Sequence, residues 1–203
     1  MIRAPLCGLA LALIPGVAPA APLSDADFLS AFAVACLDGY RDPEARSRAI
    51  DAAGWAPVAD DANPMLSRML EIARRDLEQT KAEEGFVGSD AVYGRSGGAT
   101  GPYLVTTELA LPEEASWSLD LLGCYLYDFE ATTPLDPAPI TARFAEEPAE
   151  VEDQPGIIIS QMWAVEALDG VWELRSTFIP EDSPGVDVTG FSGRVMILTS
   201  TRE

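Results

Sequence analysis

The sequence predicts an α+β domain, with N-terminal helices packed on one face of an antiparallel sheet of about five or six strands. Three observations carry this expectation. Capped segments with helical spacing fill the chain up to about Gly85, and runs with strand alternation follow them, an order that separates helices from strands. Asp169-Gly170 sits between two apolar runs, a strong signal for an antiparallel hairpin. Hydrophobic residues make up 48% of the 203, enough for one ordinary core.

The first element is an address. "MIRAPLCGLALALIPGVAPAAPLS" has Arg3 as a positive start, an apolar run to about Val17, and Ala18-Pro19-Ala20 as a small-residue cleavage pattern. Pro15 and Gly16 interrupt the run, which is too short to span a bilayer. Residues 1–20 are therefore expected to be a signal peptide and 21–203 a single exported α+β domain, periplasmic or secreted. Removing the leader takes away Cys7. Cys36 and Cys124 remain, and in an oxidising compartment they are expected to pair.

Ser24, with Asp27 three residues on, resembles a capping box with a shortened acid. Phe28, Leu29, Phe32, Ala35 and Cys36 follow at helical spacing, and Asp38-Gly39 ends the run. Asp42-Pro43 starts a second helix that stops at Gly54, with Trp55 packing back on it. Asn63-Pro64 starts a third, running to about Glu84 before Gly85. Its stripe of Met65, Leu66, Met69, Leu70, Ala73 and Leu77 reads as core.

Strands are expected at 86–93, 103–111 and 116–129, the last two joined by a turn at Pro112-Glu113-Glu114. The acidic, proline-rich stretch 130–156 reads as a short helix near Ile140–Phe144 and then a surface loop. The hairpin around Asp169-Gly170 should turn Trp172, Leu174 and Phe178 to the core. "EDSPGVDVTG" reads as a loop, and "FSGRVMILTST" as the last strand.

Composition excludes several functions. The chain has 33 acidic and 13 basic residues and a net charge of −20, which repels nucleic-acid phosphates and anionic lipid headgroups. No nucleic-acid partner is expected, and no membrane contact once the leader is removed. There is no histidine. That closes off Ser-His-Asp and Cys-His catalysis and the usual catalytic zinc sites.

Gly94-Arg95-Ser96-Gly97-Gly98 spells the G-x-S-x-G of a nucleophile elbow, but no histidine can take the proton of Ser96 and a glycine-rich run replaces the helix an elbow needs. The loop reads as a flexible connection. No catalytic residue is assigned. Glu166 and Glu173, near Trp163 and Trp172, are the acids in the most distinctive aromatic setting. Glu181, Asp182 and Asp187 in one loop are weak candidates for a Ca2+ site, as are Glu146, Glu147, Glu150, Glu152 and Asp153 in another. Neither follows the EF-hand spacing. The function expected is an exported, non-enzymatic binding or interaction protein with a cationic protein as partner. The alternative is a carboxylate-dependent hydrolase acting on saccharides.

Overall fold

The computed structural model describes residues 22–95, 101–111 and 119–202. The leader, Ser96-Gly97-Gly98 and the Pro112-Glu113-Glu114 turn lie outside the described residues. Helix α1 (Asp25–Phe32) starts at Ser24, whose hydroxyl accepts from the Asp27 amide. It runs into a π-helical segment, Ala33–Leu37. Helix α2 (Pro43–Ala52) is capped by Asp42, and α3 (Pro64–Glu84) by Asn63, whose side chain accepts from the amides of Met65 and Leu66. Gly85, at φ 80°, ends α3 in the left-handed conformation that glycine tolerates best. Short helices α4 (Ala138–Phe144) and α5 (Gly185–Thr189) follow later.

The sheet has eight antiparallel strands: β1 (Trp55–Pro57), β2 (Val87–Arg95), β3 (Tyr103–Ala110), β4 (Asp120–Asp128), β5 (Glu150–Gln154), β6 (Ile158–Trp163), β7 (Val171–Ile179) and β8 (Gly193–Thr201). Their order is β1-β2-β3-β4-β8-β7-β6-β5. The expected five or six strands are thus eight. The two additions are the short edge strand β1 and the acidic edge strand β5. The latter lies in the stretch expected to be a loop, and the Pro155-Gly156 turn folds it back onto β6. "EDSPGVDVTG" likewise contains α5 where a loop was expected.

Helices cover both faces of the sheet, where coverage of one was expected. On β3, β4 and β8 successive side chains enter different cores, as strand alternation requires. Leu104, Cys124, Leu126, Met196 and Leu198 pack with Phe28, Phe32 and Ile50 of α1 and α2. Tyr103, Val105, Tyr127 and Val195 pack with Leu66, Met69 and Leu70 of α3 and with Phe191. The Cys36–Cys124 bond forms, with Cα atoms 5.6 Å apart, and ties the π-helical segment to central strand β4.

The Asp169-Gly170 turn is present, closed by the Val171 amide donating to the Leu168 carbonyl, with Gly170 at φ 71°. Leu174 and Phe178 are buried as expected. Trp172 is not: it is 63% exposed. A β-bulge causes this. Val171 opposes Ser200 and Glu173 opposes Thr199, so Trp172 is the unpaired extra residue. The bulge inverts the alternation, and Val171 packs against the core in its place.

Beneath the sheet, Arg194 and Asp128, each 2% exposed, form a buried ion pair at 3.1 Å. The Arg194 guanidinium also reaches Asp25 and the Leu23 carbonyl, both at 2.5 Å, and lies over the Phe28 ring. Asp128 in turn accepts from the Leu23 amide. The start of the described chain is thereby fastened to β4 and β8.

Candidate functional groove beneath helix α3

The N-terminal half of α3 seals its stripe against the sheet: Leu66, Met69 and Leu70 are buried. The C-terminal half does not. Ala73 is exposed and Leu77 half-buried, and both line a groove of about 240 Å³ between α3 and the sheet. Val105, Thr107, Leu109, Tyr125 and Tyr127 form its floor. The stripe read as core in the sequence therefore divides, its first half being core and its second the roof of a cavity.

A charged clamp holds the roof in place. Arg74 of α3 donates from Nε and Nη2 to Asp90 on β2, the shortest contact being 2.6 Å. It also donates to both carboxylate oxygens of Asp60, which precedes α3. The two carboxylates push the Arg74 pKa above its ordinary value, Asp60 having the larger effect. Farther along, Lys81 donates to the Gly88 carbonyl at 3.3 Å. One guanidinium between two carboxylates leaves the mouth of the groove with a net negative charge.

Hydrogen bonding to Arg74 holds Asp60 below the usual carboxylate range, with burial acting the other way and the Arg74 charge adding to the fall. Because the folded value is depressed, this contact stabilises the fold fully above the unfolded Asp value, about 3.9. The contribution is lost as pH falls through the lower folded value. Arg74→Gln is expected to raise the Asp60 titration midpoint to the ordinary range, read by carbon NMR of the side-chain carboxyl. An unchanged midpoint would mean that the clamp does not hold in solution. Asp60 is half-exposed, so the effect on overall stability is small.

The floor is built around Gly123. A Cβ there would come within 2.3 Å of the Thr107 hydroxyl and 2.7 Å of the Tyr125 ring. Only a glycine lets Tyr125 lie across β4. Burial raises the Tyr125 pKa, and hydrogen bonds with Thr107 and Thr199 act against that rise. Tyr127 beside it is pushed up strongly by burial.

The acids singled out in the sequence stand in different settings. Glu173 is ion-paired to Arg175 at 2.7 Å. Glu166 is exposed in the connection after β6 and lines none of the cavities described. Among the described residues one carboxylate lines the groove, Asp90, and it is paired to Arg74.

The weak metal candidates are also kept apart. Residues 185–189 wind into α5, and Asp187 there pairs with Arg68 of α3 at 2.9 Å. Among the described residues no group of three or more acids or cysteines is placed to hold a metal ion. Of the other acidic stretch, Glu150, Glu152 and Asp153 lie on β5.

Sequence reasoning missed the groove because its two walls are far apart in the chain. Tyr125 and Gly123 gave the one local signal, an aromatic next but one to a glycine within a strand. No helix among the described residues is long and apolar enough to cross a membrane. Comparison with known protein families, curated proteins and solved structures finds no match.

Proposed function

We propose that this is an exported binding protein, and that the groove beneath α3 is its binding site. Residues 1–20 direct export in this reading, residues 21–203 form the working domain, and the Cys36–Cys124 bond suits a periplasmic or extracellular setting. The observation that carries the proposal is the split of the α3 stripe. A helix that could bury Ala73 and Leu77 by packing flat instead holds them over an open apolar floor, with Arg74 pinned to Asp60 and Asp90. A concave apolar pocket edged by a few fixed polar groups is the usual form of a binding site. With Asp90 paired to Arg74 and no second acid lining the groove among the described residues, binding is favoured over carboxylate hydrolysis of saccharides.

The groove exceeds the cavity of about 150 Å³ that accepts benzene and falls below the range of about 300–1,000 Å³ typical of drug-sized ligands. It suits one aromatic ring system. Indole titrated into isotope-labelled protein is expected to bind with a Kd on the order of millimolar. The amide shifts should cluster at residues 69–77 and 105–109. Ala73→Trp fills the groove from its own roof and should abolish those shifts while leaving the fold intact. Shifts scattered over the surface, or unchanged by Ala73→Trp, would remove the groove as the site.

A further inference from the structure

The face of the sheet that carries the groove floor continues beyond it. The strand registers align Val92, Val105, Tyr125, Ile197, Arg175, Met162 and Glu150 in one row from β2 to β5. The α3 groove takes up the first part of the row. From Tyr125 onward, Ile197, Arg175 and Met162 are only half-buried. The row ends in a second hollow, about 40 Å³, lined by Glu150, Glu152, Ser160, Met162 and Arg175. Two concavities on one face are thus joined by a half-exposed track.

Charge is unevenly placed along this track. Arg175 is matched by Glu173, and Arg74 is outnumbered by Asp60 and Asp90. At the far end Glu150 and Glu152 make no ion pair among the described residues. Glu152 only accepts a hydrogen bond from Gln154.

We infer that the track binds one extended segment of a cationic protein, which places an aromatic side chain under α3 and lysine or arginine side chains against Glu150 and Glu152. This rests on the groove being the binding site. The track favours a protein segment over a small molecule because the groove alone is too small for a drug-sized ligand and continues into the track. Strands are about 4.8 Å apart, so β3 and β5 lie about 24 Å from each other. An extended chain rises about 3.3 Å per residue, so anchor and cation stand about seven residues apart. The aromatic side chain supplies most of the affinity, and the cation sets direction and register.

The test uses the synthetic peptide Trp-(Ser-Thr)3-Lys-Lys and a version with a single Ser-Thr pair, titrated into the full chain near physiological salt. The long peptide is expected to shift amides at residues 73–77 and 150–152 together. Shortening the spacer, or the paired variant Glu150→Gln/Glu152→Gln, is expected to weaken binding about tenfold, the combined worth of two exposed ion pairs. Equal affinity of the two peptides, or shifts confined to the groove, would overturn the inference and leave the groove reading standing. So would an unaffected Glu150→Gln/Glu152→Gln variant. If indole alone also fails to bind, the groove reading falls with it. Both substitutions sit on an exposed edge strand, so loss of fold does not confuse the result.

Discussion

The double variant Cys36→Ala/Cys124→Ala is expected to lose about 4–5 kcal/mol of stability, read as the shift of the urea unfolding midpoint. The two cysteines are 88 residues apart, so the bond closes a long loop and removes much of the freedom of the unfolded chain. Its position adds to the effect. Cys36 and Cys124 are at most 1% exposed, and the bond fastens the N-terminal helical layer to β4, a central strand. Reducing agent should reproduce the loss only once the chain opens, because both cysteines are at most 1% exposed. A drop below about 1 kcal/mol would show that packing alone holds the helical layer on the sheet.

The second large effect is expected at Arg194. Arg194→Met keeps most of the side-chain volume and removes the charge. Asp128 is then left at 2% exposure without its cationic partner, and among the described residues only the Leu23 amide still donates to its carboxylate. Breaking one side of a buried pair typically costs about 3–5 kcal/mol. The paired variant Arg194→Met/Asp128→Leu removes both charges and should recover much of that loss. Arg202 gives the contrast. It pairs with Glu108 and Asp120 at the surface, and Arg202→Met should cost less than about 1 kcal/mol. Equal losses at Arg194 and Arg202 would mean that the buried site admits water.

The local punctuation of this chain was legible in its sequence. Ser24, Asn63-Pro64 and Gly85 act as the caps they resemble, because a cap depends on neighbours within four residues. The Cys36–Cys124 pair followed from counting. Strand number was harder to read. Glu150–Gln154 has no apolar alternation and is a strand only because β6 offers it a partner, a tertiary effect that propensity cannot show. Coverage of both faces had a signal in "LLGCYLY", apolar almost without a break, the pattern of a strand buried on both sides. Trp172 was misplaced because one bulge reverses every alternation beyond it. The groove was the least legible feature. Leu70 and Leu77 are equivalent on the helix stripe, but Phe191 and Gly190 pack against the first half while Arg74, reaching Asp60 and Asp90, stands at the start of the open one.

The strand order has a kinetic consequence. Strands β1 to β4 follow one another across one half of the sheet and β5 to β8 across the other, and among the described residues the two halves join where β4 pairs with β8. β8 is the last strand in the sequence, yet it lies at the middle of the sheet. A chain that emerges N-terminus first can assemble the first meander early, but it cannot unite the two until β8 arrives. Contacts at such long separation make folding slow, on the order of milliseconds to seconds. Until then the inner edge of β4 stands open, and the two halves of the sheet lock together only when β8 is in place.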